Sequence, residues 1–431
     1  MRVGIVGFGT VGMGVAKLLL EAEERLSYLD KRPVLAAVAD IDWETEREVD
    51  LPPSVRREKD GLALARDKDI DIVVELIGGT GAAFDVIKTA LEAGKPVVTA
   101  NKALLAERGQ ALFKLAVKKH VPIGFEGSVC GGIPLLRAIR TGLAIDKITE
   151  FKGIVNGTCN FILSRMYRES ASYGAALQLA QEAGYAETDP TLDVSGKDSA
   201  HKLVLLAGLA FGALPSMEDV TIKGITGIDG SDVTYCKELG FVTKLIAAGT
   251  KRADGMLELS VYPTLLPATH PLAAVSGALN AVWVESDAVG TSMYYGPGAG
   301  MLATGSAVVS DIVDIVLGSG WTEFERLRFL NAGPAKVVTF ATTSSSYYLR
   351  FNVKDEFGVL GKIATLLGKH KVSIASVVQK SSPNPQSVPI VILTHVAREK
   401  DVTAALAQID EESFVSAPTT VMRIDDGEKI L

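Results

Sequence analysis

The sequence predicts an α/β protein: a doubly wound parallel sheet, then an α+β domain, then a small C-terminal βαββαβ module. Three observations carry this. Over the first 125 residues short apolar runs alternate with helical spacing, a glycine-rich turn joins the first run to the first helix, and a polar break at residues 342–346 precedes a strand, helix, strand, strand, helix, strand order. A chain of 431 residues with mean hydropathy +0.24 can build about three cores at the usual ~150 residues each.

Residues 3–6 are apolar and stop at Gly7, after which apolar residues recur at Val11, Val15, Leu18, Leu19, Ala22 and Leu26, so strand, turn and helix follow in order. A second run, 34–39, ends at Asp40, and a third, 70–75, ends at Gly78-Gly79. The next helix carries Phe84, Ile87, Ala90 and Leu91, and Pro96-Val97-Val98 leads a strand into Asn101-Lys102. Beyond it, 148–155 predicts a strand, a long helix starts near Asn160, and 257–262 and 281–284 add β structure. The helix after Gly298, with Ala303, Ala307, Val308, Ile312 and Ile315, returns to the first domain. The expected division is 1–130 for the first domain, completed by 298–340; 131–297 for the second; a linker at 341–346; and 347–431 for the module. In the module, 348–353, 373–379, 388–395 and 419–424 read as strands and 358–369 and 399–409 as helices, a ferredoxin-like order.

The net charge of −7 is spread without a basic stripe, which argues against a nucleic-acid partner and for a small molecule. Cys130, Cys159 and Cys236 are too few for a disulfide framework and lack metal-ligand spacing, as expected of a reducing compartment. Glycines interrupt the N-terminal apolar stretch, unlike a secretory signal, and the run near 203–214 is shorter than the roughly 18–20 residues of a membrane span. A soluble, cytoplasmic protein is expected. The five histidines are scattered, and His201 points about 100° away from Lys202 on a helix, so neither a Ser-His-Asp triad nor a zinc site is expected.

Gly7-Phe8-Gly9-Thr10-Val11-Gly12 follows a strand and opens a helix. The first glycine makes the turn, the second lets backbone approach a pyrophosphate, and the third lets helix and strand pack, so the loop predicts dinucleotide binding in a Rossmann-type sheet. Asp40 ends the second strand, where a carboxylate accepts hydrogen bonds from the ribose hydroxyls and repels a 2′-phosphate, favouring NAD over NADP.

Longer stretches extend the pattern: VGIVGFGTVG at the start, VVELIGG at 73–79, ALEAGKPVVTANKALLA at 90–106, FEGSVCGGIP at 125–134, GIVNGTCNFIL at 153–163, GYAETDPTLDVSGKDSAHKL at 184–203, GPGAG at 296–300 and TGSAVVSDI at 304–312. Together they resemble the homoserine dehydrogenase family in its longer form, with a C-terminal ACT domain. The resemblance implies reduction of L-aspartate 4-semialdehyde to L-homoserine with NADH or NADPH, on the route to threonine and methionine. One departure is Ala39, where many members carry a basic residue, which counts against NADP.

Hydride delivery to an aldehyde makes an alkoxide, which needs a proton donor and positive charge. The resemblance assigns these roles to Lys202 and Lys102, with Asp198 positioning Lys202 and binding substrate; Asp198 and Lys202, four apart, share a helical face. Two converging lysines are expected to lower each other's pKa. It further assigns the substrate amine to Glu187, with Asp193, Gly184 and Thr158 nearby, and adds Ile77, Lys102 and Gly298 to the cofactor site of residues 7–12 and Asp40. Asn156 and Gly157 belong to the same strand-end turn as Thr158. Glu126 and the carbonyls of Val129, Gly131 and Ile133 match a monovalent-cation site, for which sodium is the candidate. Cys130 reads as a buried thiol. Asp355, Gly358 and Leu360 fall at the loop where such modules bind an amino acid, here L-threonine, and a homodimer or homotetramer is implied. The alternatives are another amino-acid-related dehydrogenase, such as an aspartate dehydrogenase, and a nucleotide-sensing regulatory protein without turnover. The two lysines and three carboxylates argue against the second.

Overall fold

The computed structural model describes residues 1–380 and 387–425. It divides into two compact units, one of residues 1–157, 198–220 and 279–335, the other of residues 158–197, 221–278 and 336–431.

The first unit is built on six parallel strands in the order β3-β2-β1-β4-β5-β6: β1 (Arg2–Val6), β2 (Val34–Ala39), β3 (Arg56–Glu58), β4 (Ile72–Glu75), β5 (Val97–Thr99) and β6 (Ile123–Gly124). The helices α1 (Thr10–Leu20), α2 (Gly61–Arg66), α3 (Ala82–Glu92) and α4 (Lys102–Lys119) run between the strands. The strand order reverses between β1 and β4, which opens a crevice at their carboxyl ends. Edge strand β3, Arg-Arg-Glu, escapes a reading based on apolar periodicity because it has no apolar side chain to bury. Val3, Ile5, Leu35, Val38, Ile72 and Val74 meet Val15 and Leu19 of α1 and Val308, Ile312 and Ile315 of the helix Met301–Leu317. That helix lies directly on α1, since a Cβ on Gly14 would stand 2.0 Å from the Met301 carbonyl oxygen. The unit also contains the antiparallel strands Gly290–Pro297, Leu279–Ser286 and Ile148–Ile154, paired in that order, and the buried helix Lys197–Phe211.

In the second unit the hairpin strands Phe241–Lys251 and Leu257–Pro267 pair along their full length. The C-terminal module has the predicted βαββαβ order. Its strand Val415–Ile424 joins Leu257–Pro267 in parallel, and Ser344–Val353, Val388–Thr394 and Ile374–Gln379 follow across the sheet. Tyr347, Leu349, Phe351 and Val353 face the helices Val359–Lys369 and Glu399–Asp410. The alternate residues Tyr348 and Arg350 face the helix Gly230–Glu238, where the wholly buried Asp232 accepts a hydrogen bond from Tyr348 Oη (2.9 Å) and a bidentate pair from the Arg350 guanidinium (Nη2 to Oδ2, 2.9 Å).

The run at 341–346 is therefore not the free linker its composition suggests. Residues 344–346 already belong to the strand Ser344–Val353, and the buried Thr343 accepts a hydrogen bond from Arg423 at 2.9 Å. Serines and threonines are as compatible with an edge-paired strand as with a tether, and long-range partners decide between them.

Lys244 lies inside this unit on the strand Phe241–Lys251, with Nζ donating to Asn160 Oδ1 (2.9 Å) and to the Val275 carbonyl. Burial pushes its ammonium down to about 7.

Two stability measurements test these contacts. Asp232→Ala leaves the Arg350 charge buried without its anion and should cost about 3–5 kcal/mol in urea unfolding, with much of that recovered in Asp232→Ala/Arg350→Met. An unfolded Lys244 keeps its proton up to the ordinary value of 10.5, so between about 7 and 10.5 the unfolded state binds more protons and stability rises with pH. Across that window the native chain should gain on Lys244→Met by up to ~1.4 kcal/mol per pH unit. Parallel stability curves for the two would show that the buried amine stays charged.

Candidate active site

The crevice begins at the glycine turn. Gly7 has φ +103°, and a Cβ there would stand 2.7 Å from the Leu76 carbonyl; a Cβ on Gly12 would stand 2.1 Å from the Gly7 oxygen. A Cβ on Gly9 would meet nothing within 4 Å. The first and third glycines are thus closed by the chain's own backbone, and the second faces open space. No side chain caps the N-terminus of α1, so the Thr10, Val11 and Gly12 end of that helix is available to an anion.

Asp40 sits at the end of β2 with both oxygens engaged: Oδ2 accepts from the Phe8 N–H (2.6 Å) and Oδ1 from the Asp42 N–H (2.8 Å). It braces the glycine turn. The Phe8 ring is buried against Trp43 at 5.8 Å between centroids. Arg47 lies 3.7 Å from Asp40 Oδ1 and 3.6 Å from Asp42 Oδ2, a basic group beside Asp40 despite Ala39. Ile77 is exposed at the end of β4, before Gly78 and Gly79, both with positive φ.

A lysine–carboxylate cluster lies in the same unit. Lys202 Nζ donates to Asp198 Oδ2 (2.8 Å), one turn earlier on the helix Lys197–Phe211, and to the Val155 carbonyl (2.6 Å) just past the strand Ile148–Ile154. Lys102 Nζ, at the start of α4, lies 3.1 Å from Asp198 Oδ1, and Asn156 Nδ2 donates to Asp198 Oδ2 at 2.8 Å. Burial alone would raise the Asp198 carboxyl, but Lys202, Lys102 and Asn156 hold it well below the usual carboxylate range. The sequence suggested two lysines repelling one another; the structure places an anion between them. His201 Nε2 stands 3.2 Å from Glu107 Oε1, a second tie between this helix and α4, and burial lowers the imidazole pKa.

The segment 126–133 packs on the turn at Gly298, with the Gly131 N–H donating to the Gly298 carbonyl (2.9 Å) and the Gly132 N–H to that of Pro297 (3.1 Å). A Cβ on Gly298 would stand 1.8 Å from Asn280 Oδ1, so any side chain there would displace that amide. Cys130 is buried and takes the left-handed φ of +51° that bends Val129, Gly131 and Ile133 into one loop. Glu126 Oε1 accepts from the Leu136 N–H (3.0 Å), while the buried Oε2 has no partner. Burial and the neighbouring Asp311 push the Glu126 carboxyl up to about 8. An orphaned buried carboxylate oxygen is the kind of hard donor that a hard cation takes. Among the described residues no three or more His, Cys, Asp and Glu are grouped so as to hold a metal ion, so the donor set is unlike that of a transition metal. Asp311, which accepts the Glu126 N–H at 2.8 Å, was missed in the sequence; its signal is a carboxylate among Val308, Ile312 and Ile315 on an apolar helix face.

The remaining candidates belong to the second unit. Thr158, in the first turn of the helix Gly157–Glu169, donates from Oγ1 to the Tyr185 carbonyl (2.6 Å), fixing the loop in which Gly184 has φ +72° and Glu187 is exposed. Asp193 is partly buried, and its carbonyl accepts from Cys159 Sγ at 3.3 Å. In the module, Asp355 and Leu360 are exposed around Gly358, whose φ of +85° starts the helix Val359–Lys369.

A parallel sheet with an open glycine turn at its switch point is the frame of a dinucleotide-dependent oxidoreductase, and the cluster at Asp198 suits one that protonates a carbonyl oxygen. Comparison with known proteins narrows this class. Residues 7–126 match the model of the homoserine dehydrogenase NAD-binding domain, 134–313 that of homoserine dehydrogenase, and 347–414 that of the ACT domain. The homoserine dehydrogenases of Neisseria gonorrhoeae and Bacillus subtilis are 42% and 40% identical, each match covering 99% of this chain and 98% of the relative. The crystal structure of a homoserine dehydrogenase from Thiobacillus denitrificans superposes with a TM-score of 0.91 at 37% identity, over 99% of this chain and 98% of that one. A hyperthermophilic archaeal homoserine dehydrogenase in complex with NADPH superposes at 0.61 with 25% identity, over 74% of this chain and 98% of that one. The chain belongs to the homoserine dehydrogenase family: it is an NAD(P)-dependent oxidoreductase with a C-terminal ACT domain.

Proposed function

We propose that the chain catalyses the reversible reduction of L-aspartate 4-semialdehyde to L-homoserine, in the cytoplasm, on the route to threonine and methionine. The observation that carries this reading is the convergence of Lys202 and Lys102 on the buried Asp198. NADH or NADPH supplies the hydride. As negative charge grows on the carbonyl oxygen, the Lys202 ammonium donates the proton that makes the alcohol and regains one from water. Lys102 adds positive charge, and Asp198 holds both amines in register. Glu187 and Asp193 are the carboxylates for the substrate ammonium, with Thr158 and the Gly184 backbone as further substrate contacts.

Glu126 and the carbonyls of Val129, Gly131 and Ile133 would hold a sodium ion, whose charge would brace the loop against Gly298. Residues 7–12, Ile77, Lys102 and Gly298 would hold the dinucleotide, with Asp40 favouring NADH. L-threonine binds the module near Asp355, Gly358 and Leu360, in a homodimer or homotetramer. Because the module's sheet and Arg350 are built into the second unit, regulation is tested with point variants and not by deletion.

Lys202→Ala should keep cofactor binding and lose kcat by roughly 10²- to 10⁴-fold; an unchanged kcat with raised KM would make Lys202 a binding residue only. The kcat/KM for NADH should exceed that for NADPH, and Arg47→Ala should widen the gap; a preference for NADPH would remove Asp40 as the determinant. Threonine should lower the rate of the full-length enzyme, and Asp355→Ala should weaken the effect, typically a coupling of ~1–3 kcal/mol. Calorimetry showing no threonine binding would end that assignment.

A further inference from the structure

Glu75 ends β4, whose other residues, Ile72, Val73 and Val74, are apolar, and it is 0% exposed. No step above uses it, and a carboxylate closing a buried strand is expensive unless every oxygen is satisfied. Its Oε1 accepts from the N–H groups of Ile77 (2.9 Å) and Gly78 (3.2 Å), and its Oε2 accepts from the Thr99 hydroxyl (2.7 Å). Thr99 stands opposite Glu75 in the parallel register of β4 and β5.

Thr99 Oγ1 accepts from the Asn101 N–H at 3.0 Å and gives its one proton to Glu75, which as a carboxylate can only accept. Asn101 caps α4, its Oδ1 accepting from the Leu104 N–H (3.1 Å) while its Nδ2 donates to the Gly79 carbonyl (2.8 Å). The next residue is Lys102, whose Nζ reaches Asp198. A continuous chain of hydrogen bonds thus runs from a buried anion to the backbone from which Lys102 projects.

We propose that Glu75 is a positioning residue for the reduction, setting through Thr99 and Asn101 where Lys102 stands beside Asp198. This rests on the reading of Lys102 as catalytic. A small displacement of such a group can cost as much as about 10²-fold in rate. A purely structural anchor would instead lower stability and leave the rate of the folded enzyme unchanged.

The test is steady-state kinetics of homoserine oxidation, with NADH binding followed by fluorescence as the check on folding. Thr99→Val removes the hydroxyl at constant size and should lower kcat about tenfold or more, as should Glu75→Gln. Thr99→Ser, which keeps the hydroxyl, should restore kcat to within about threefold. In a Lys102→Ala background, Thr99→Val should cost less than about threefold further, since two residues that act as one unit are not additive. A near-native kcat for Thr99→Val, or its full loss again in Lys102→Ala, overturns the proposal while leaving Lys102 in place. A near-native kcat for Lys102→Ala overturns the reading beneath it.

Discussion

A carboxylate that is only 4% exposed stays ionised only if cations or hydrogen-bond donors surround it, and Asp198, which has both, imposes that condition on three parts of the first unit at once. The helix Lys197–Phe211 must bring Lys202 one turn away, the strand Ile148–Ile154 must end where Asn156 can donate, and α4 must begin at Lys102. Removing either lysine would leave part of the charge uncompensated. The same three elements therefore hold one another in place, and the geometry suited to protonating a carbonyl oxygen is also what makes the interior tolerable.

Features governed by local rules were legible in the sequence. The turn at Gly7–Gly12 is one, because a positive φ and close backbone contacts admit little but glycine, and the alternation of apolar strands with helices is another. The spacing of Asp198 and Lys202 also reads directly, since residues four apart share a helical face. What could not be read depends on partners distant in the chain. Arg350 and Asp232 look like surface charges until the module's sheet is laid on the helix Gly230–Glu238, and Lys244 looks like a strand-end cation until Asn160 is found beside it. The loop carbonyls at Val129, Gly131 and Ile133 leave no mark on side-chain identity at all. Strand β3 was invisible for the opposite reason, having polar side chains and pairing through backbone alone.

Asp40 shows how one residue can carry two meanings. In the sequence it reads as a carboxylate placed to meet a ribose. In the fold it also accepts the Phe8 N–H and so stiffens the turn that would hold the pyrophosphate. On the proposed reading, substitution there would change cofactor preference and loop rigidity together, and the neighbouring Arg47 is a second handle on preference.

The parallel pairing of Val415–Ile424 with Leu257–Pro267 has a consequence for biosynthesis of the chain. Thr264 and Leu265 await Arg423 and Ile424, so that part of the hairpin edge is synthesised long before its partner leaves the ribosome. Such non-local pairing is slow to form, and an unpaired edge invites other chains. Until that strand emerges this part of the hairpin edge stays unpaired, and aggregation during expression should concentrate there.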